Sequence, residues 1–321
     1  MSVVYLLLGL AILLLAGDAL VKGAVNLSLR LGIPALIVSL TIIAFGTSSP
    51  ELLISINAVT TGVPGLALGN VVGSNTANIL LVLGVPALLS GLTTSECDSR
   101  KTYVFMLAAS VLFIAVCFLG PIIWVHGLIL LAALAFILGD AFVEARAHHA
   151  EGKNSEEEML DELDGAEPDM PLYRISIYIV LGLIGLPLGA DLLIDGAVDI
   201  ARAIGASESV IGLTLVALGT SLPELATTVM AARRNQADVA LGNVIGSNMF
   251  NVLAIISVAS FFGGIPVDPK FLYIDLWVML LASLILIPFV FGGRDMSRLL
   301  GLGLTTLYLI YVFGLIVGRA G

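Results

Sequence analysis

The sequence predicts an all-α membrane protein: ten transmembrane helices forming two inverted five-helix repeats, with broken helices at a shared site. Three observations carry this. Of 321 residues, 59% are apolar and only 12% charged, too little polarity to cover a surface in water. Apolar runs recur at about 20 residues or more, the length a helix needs to cross the hydrocarbon core. Two stretches are near copies: 44–80 begins AFGTSSPEL and closes GNVVGSNTANIL, and 217–253 begins ALGTSLPEL and closes GNVIGSNMFNVL.

In chain order the apolar segments are 3–29, 33–59, 65–91, 102–119, 122–143, 174–203, 207–232, 239–262, 271–292 and 299–318. The first resembles a signal-peptide core but lacks a basic flank and has an internal counterpart, so it is expected to stay as a span. The stretch 102–143 is about twice what one helix can use, so Gly120-Pro121 is read as a tight turn between two helices. An outer-membrane barrel would show alternating segments of about 10 residues. Continuous runs such as 6–15 and 125–138 do not fit that pattern.

The copies align without a gap at an offset of 173: Asp18 with Asp191, Gly23 with Gly196, Gly32 with Gly205, Thr47 with Thr220, Glu51 with Glu224, Asn78 with Asn251. Between positions 44 and 80, 18 of 37 residues are identical. Shared Leu and Val would be cheap coincidence; shared Thr, Ser, Pro, Glu and Asn at fixed spacing mark a duplication. Five spans per copy put the second copy into the membrane upside down, related to the first by a pseudo-two-fold axis in the membrane plane. The predicted organisation is one transport domain, 1–321, made of a first repeat 1–143, an acidic linker 144–173 and a second repeat 174–321. With the N-terminus outside, eleven Lys and Arg fall at cytoplasmic ends against three outside, so both termini are expected extracytoplasmic and the linker cytoplasmic, in the cell (inner) membrane.

The net charge of −10 excludes a nucleic-acid footprint, and much of it sits in the linker, from Glu151 and Glu156 through Asp169. The linker does not match an EF-hand loop, so it reads as a solvated tether. Cys97 and Cys117 offer neither a disulfide framework nor thiolate metal spacing, and His126, His148 and His149 read as surface residues. No cofactor and no obligatory protein partner is indicated; the lipid bilayer is the solvent.

A carboxylate at the centre of a membrane helix costs roughly 2.5 to 3.5 kcal/mol even on lenient scales, which makes it a site hypothesis by default. Glu51 and Glu224 sit mid-segment with no Lys or Arg at similar depth in the repeats, so bound cations are their natural partners. Thr47 lies four residues before Glu51 and Ser74 four before Asn78, placing each pair on one helix face; Thr220, Glu224, Ser247 and Asn251 repeat the pattern. All are the oxygen ligands that a hard cation takes. Pro50 and Pro223 remove the helical partner of the Gly46 and Gly219 carbonyls, and the carbonyls of Ala44, Thr47, Ala217 and Thr220 can turn inward at such breaks. Gly69, Gly73, Gly242 and Gly246 read as a close-packing face, and Asn75 and Asn248, rotated about 100° from the Ser ligands, as helix-to-helix hydrogen bonders. Asp18 and Lys22, spaced i and i+4, can pair near an end of the first span, where the second copy has Asp191 and Asp195; they read as interfacial structural residues, with cation attraction at an entrance as the alternative.

With these residues in hand, the chain resembles the cation/calcium exchanger superfamily, specifically prokaryotic sodium/calcium exchangers, whose two alpha-repeats match GTSSPE with GNVVGSNTAN and GTSLPE with GNVIGSNMFN. The resemblance implies Glu51 and Glu224 as shared ligands of Ca2+ and Na+. Thr47, Ser48, Ser74, Asn78, Thr220, Ser221, Ser247 and Asn251 would complete the sites, with backbone oxygens from Ala44 and Ala217. Position 251 is Asn where many relatives, including the potassium-dependent branch, have Asp, which argues against potassium coupling. The large regulatory loop of the animal exchangers is missing. Two Glu charges match one Ca2+, and the family's three Na+ exceed them by one, so the resemblance implies electrogenic antiport, with the long first and sixth spans sliding past the bundle.

A proton-coupled exchanger of Ca2+ or another divalent cation is the competing reading, since buried glutamates can titrate; the Ser, Thr and Asn oxygens suit Na+ and are not needed by a proton. An intramembrane hydrolase would need a base near Ser48 or Ser221, and no His lies nearby in sequence. A passive channel would share the ligands but show conductance without counter-ion dependence.

Overall fold

A computed structural model of the chain describes residues 2–151, 167, 169–203 and 217–320. In the first repeat the helices are α1 (Ser2–Leu31), α2 (Ala35–Thr47), α3 (Ser49–Thr60), α4 (Gly65–Ser90), α5 (Arg100–Phe118) and α6 (Trp124–Glu151). The second repeat has α7 (Leu172–Ala203), α8 (Ala217–Gly219), α9 (Leu222–Arg233), α10 (Ala237–Phe262), α11 (Phe271–Val290) and α12 (Arg298–Ala320). Eight of these are long and apolar enough to cross a membrane, and α2 with α3 is a broken ninth span bent by 42°. The expected span 207–232 is described from Ala217 onward, as α8 and α9; residues 204–216, including Gly205, lie outside the described residues. The same holds for most of the acidic linker, although α6 runs past position 143 to Glu151. Its last turns, EARAHHAE, contain no Gly or Pro to stop the helix.

The paired alpha-repeat helices α4 and α10 form the interior, with 78% and 83% of their span windows buried, against 28% for α1 and 22% for α7. Outside them, large apolar side chains such as Leu15, Phe136, Leu181, Leu309 and Phe313 stand exposed, the surface that lipid solvates.

Two features make the inversion visible. Leu92, after α4, and Met296, before α12, exchange backbone hydrogen bonds of 3.0 and 2.9 Å. Ile122, before α6, and Ile265, after α10, do the same at 2.8 and 2.9 Å. Position 92 plus 173 is 265, and 122 plus 173 is 295, one short of Met296, so these are two-fold images to within one residue, at opposite ends of the bundle. At the second bridge Gly120 adopts φ +110°, the tight turn expected between the fourth and fifth spans.

The other feature is the seam between α1 and α7, which run antiparallel. A Cβ built on Gly196 would lie 2.6 Å from the Leu6 backbone nitrogen, one on Gly189 2.8 Å from that of Leu13, and one on Gly182 2.5 Å from the Leu20 side chain. These glycines are seven apart and correspond at the constant offset to Gly9, Ala16 and Gly23 on α1. Small residues at heptad spacing let the two backbones touch along their length. At about 1.5 Å per residue, 30 and 32 residues make helices much longer than the bilayer core is thick.

Asp18 does not pair with Lys22. Its carboxylate takes a two-pronged contact from Arg234, in the turn between α9 and α10: Nε to Oδ1 at 2.7 Å and Nη2 to Oδ2 at 2.9 Å. Lys22 instead reaches Glu167 of the linker at 2.8 Å. The guanidinium fork matches both carboxylate oxygens at once, whereas an i, i+4 pair on one helix gains only a few tenths of a kcal/mol.

Candidate functional site

Each broken span is interrupted at a serine. Ser48 has φ −84° and ψ 5°, and Ser221 φ −89° and ψ 2°, so the two breaks are near-identical in geometry. Proline follows in the first turn of the next helix, where its missing N–H costs nothing. The half-helices α3 and α9 therefore begin inside the protein, with Glu51 and Glu224 in their first turns. A helix N-terminus favours negative charge, which offsets part of the cost of burying each carboxylate.

Both carboxylates are inaccessible to solvent, Glu51 at 1% and Glu224 at 0%, and neither forms an ion pair among the described residues. Burying such a group without compensation costs several kcal/mol. Compensation comes from neither Lys nor Arg, and the surrounding groups are oxygens. Among the described residues the buried side-chain oxygens without a hydrogen-bond partner include both of Glu51, Oε2 of Glu224, Oδ1 of Asn78, Oδ1 of Asn251 and Oγ of Ser221. Orphaned buried acceptors are rare because each costs about 1–3 kcal/mol, and six of them belong to residues singled out from sequence.

The two repeats interlock around these groups. Ser48 Oγ donates to Glu224 Oε1 at 3.4 Å, and the hydroxyls of Thr47 and Ser247 lie 3.4 Å apart. α3 packs against the turn that begins at Asn251, and α9 against the one that begins at Asn78. Both are π-helical turns, Asn78–Val82 and Asn251–Ile255, at equivalent positions; such turns often mark functional sites because they redirect side chains and carbonyls. Ser74, like Thr47, Ser48, Ser221 and Ser247, is buried, while Thr220 is half-buried at its break. The Ala44 carbonyl accepts the Ser48 N–H at 3.0 Å and the Thr47 hydroxyl at 3.3 Å. Ala217 opens α8.

Sequence reading missed Asn70 and Asn243. Asn70 Nδ2 donates to the Glu51 carbonyl at 3.3 Å and to Ser55 Oγ at 3.2 Å. Asn243 Nδ2 does the same to the Glu224 carbonyl at 3.4 Å and to Thr228 at 3.1 Å, while its Oδ1 accepts from Thr47 at 3.3 Å. These amides fix the backbone of the two acids from the neighbouring helix. The signal was present, since Asn70 and Asn243 are identical at the constant offset and both follow their Glu by 19 positions.

Asn75 and Asn248 do bond across helices, as expected, at 3.1 Å from Asn75 Nδ2 to the Asn248 carbonyl. Gly242 and Gly246 are close-packed: an added Cβ would meet the carbonyls of Leu36 at 2.8 Å and Leu40 at 2.6 Å. Gly69 and Gly73 show no such contact, and the positions equivalent to 36 and 40, namely 209 and 213, lie outside the described residues. The arrangement as a whole is an all-oxygen cage with two formal negative charges, suited to Na+ or Ca2+ rather than to metals that prefer His or Cys. No group of three or more His, Cys, Asp or Glu that could hold a metal occurs among the described residues.

The family model described as sodium/calcium exchanger protein matches residues 1–142 and 175–317. The sodium/calcium exchanger MaX1 of Methanosarcina acetivorans is 33% identical, with 96% of each chain covered. The inner membrane protein YrbG of Escherichia coli is 34% identical over 87% of this chain and 86% of its own. A crystal-soak structure of the sodium-calcium exchanger NCX_Mj superposes with a TM-score of 0.80 at 33% identity, covering 98% of both chains.

Proposed function

This chain belongs to the sodium/calcium exchanger protein family, whose members are membrane cation exchangers and not enzymes, and on that premise we propose that it exchanges Na+ for Ca2+ by alternating access, without K+. The observation that carries the reading is the set of six unpartnered buried oxygens on Glu51, Glu224, Asn78, Asn251 and Ser221. Two carboxylates neutralise one Ca2+, and the neutral oxygens supply the rest of a Ca2+ shell of six to eight ligands or divide among several Na+. With Asn at 251 the proposed site, which also draws on Ser48, Thr220 and the Ala44 and Ala217 carbonyls, holds a formal charge of −2. Loading it with three Na+ in one direction and one Ca2+ in the other moves one net charge per cycle.

The proposed motion uses the α1–α7 seam. Both helices lie at the periphery, longer than the bilayer core, and slide as a pair past the interior to open the site to each side in turn. The proposed setting is the cell (inner) membrane, both termini outside and the linker in the cytoplasm, where Lys and Arg concentrate.

The test is 45Ca2+ uptake into proteoliposomes driven by an outward Na+ gradient, with pH clamped on both sides and the membrane potential set independently. Wild type takes up Ca2+ at a rate that depends on the imposed potential, while Glu51→Gln and Glu224→Gln abolish uptake. Normal transport by both variants would remove the glutamates from the site. Uptake that follows a pH gradient and ignores Na+ would replace Na+ coupling by proton coupling.

A further inference from the structure

Four buried asparagines form a closed exchange across the pseudo-two-fold axis: Asn75 and Asn78 on α4, Asn248 and Asn251 on α10. Asn75 Nδ2 donates to the Asn248 backbone carbonyl at 3.1 Å, and Asn248 Nδ2 to that of Asn75 at 3.4 Å. A backbone carbonyl can only accept, so these two bonds fix which end of each amide is nitrogen. The other end is then an acceptor. Asn75 Oδ1 receives Asn251 Nδ2 at 2.9 Å, and Asn248 Oδ1 receives Asn78 Nδ2 at 3.0 Å. Asn78 and Asn251 have thereby committed their NH2 groups, and what each has left is a buried Oδ1 without a partner. A flipped amide would set Oδ1 against Oδ1 within this exchange and put an NH2, with its partial positive charge, where the unpartnered buried oxygen now lies.

We propose that Asn75 and Asn248 are positioning residues for cation binding: they touch no ion, and they lock the amides of Asn78 and Asn251 so that oxygen alone faces it. The assignment rests on the cation site proposed above and extends it by one layer. It explains why residues rotated away from the ligand face are nonetheless Asn in both copies, where any helix-to-helix hydrogen bonder would serve for packing.

The experiment measures Ca2+ affinity of the purified full-length protein by titration calorimetry for wild type, Asn75→Ala, Asn251→Ala and the double variant. Outer partners that orient metal ligands typically contribute about 10- to 100-fold in affinity, so Asn75→Ala weakens Ca2+ by that factor. Because Asn75 acts through Asn251, the double variant binds no more weakly than Asn251→Ala alone. Additive losses, or an Asn75→Ala variant with wild-type affinity, overturn the proposal. Should Asn75→Ala not yield a monodisperse protein, Asn248→Ala against Asn78→Ala is the mirror cycle, with the same expected and overturning results. Wild-type protein that binds neither Ca2+ nor Na+ would refute the cation site itself, an outcome distinct from wild-type binding with additive variants.

Discussion

The Asp18–Arg234 contact ties α1, which we propose to slide, to the turn between α9 and α10, so breaking it should redistribute α1 between its positions. The side chains are 34% and 19% exposed, between a surface pair and a buried one. Surface pairs contribute up to about 1 kcal/mol and charged hydrogen bonds about 1.5–3 kcal/mol; a two-pronged contact at this exposure is therefore placed at about 1–2 kcal/mol, after solvent screening. That changes a two-state ratio by roughly 5- to 30-fold. Asp18→Asn keeps the shape and removes the charge. With Cys97 and Cys117 replaced by Ala, nitroxides at the exposed positions Val4 on α1 and Leu119 after α5 report the position of α1 by pulsed electron spin resonance. Asp18→Asn depletes the α1 position described here by that factor, and the reversed pair Asp18→Arg with Arg234→Asp restores it. Identical distance distributions in wild type, Asp18→Asn and the reversed pair would refute the reasoning.

Three more expectations follow from the same geometry. Asn243 is fully buried and bridges to Thr47 of the other repeat, while Asn70 is half-buried, so Asn243→Ala lowers thermal stability by about 1–3 kcal/mol and Asn70→Ala by less; equal losses would contradict the asymmetry. Gly189→Leu or Gly196→Leu places side-chain atoms into the α1 backbone, and transport is lost while a Leu at Gly303 on α12, which faces open space, transports normally. The Lys22 ammonium holds the Glu167 carboxyl below the usual carboxylate range, so the linker's attachment to α1 is complete above that range and is lost as pH falls through the lowered value. The protection factors of amides around Glu167, which divide out the pH dependence of intrinsic exchange, should therefore fall in acid, and also in 1 M salt at neutral pH, where the Debye length is about 3 Å; protection factors unchanged under both conditions would detach Lys22 from the docking.

The glutamate pair was legible in sequence because burying charge in lipid is so costly that Glu51 and Glu224 needed a reason, and a fixed offset supplied the same reason twice. The spans and the helix breaks just before Pro50 and Pro223 were readable because hydropathy and proline act locally, and the family because the duplicated GTSSPE and GTSLPE motifs stand in the sequence itself. Asp18 meets Arg234 rather than Lys22 because local spacing competes poorly with an Arg 216 positions away that arrives in register. Asn70 and Asn243 were absorbed into a small-residue pattern, although their duplication carried the same information as that of the acids. The direction in which Asn78 and Asn251 point depends on four side chains and two backbone carbonyls meeting in three dimensions, which no one-dimensional spacing encodes.

The paired backbone bonds of Leu92 with Met296 and of Ile122 with Ile265 have a mechanical meaning. One cross-stitches the repeats at one end of the bundle, and its image does so at the other. Helices α4, α5, α6, α10, α11 and α12 all enter or leave one of these stitches, so they behave as a laced frame. Among the described residues, neither end of α1 or α7 is laced in. The motion we propose therefore needs no hinge within the frame: the frame is the housing, and the glycine seam joins α1 and α7 into one shuttle.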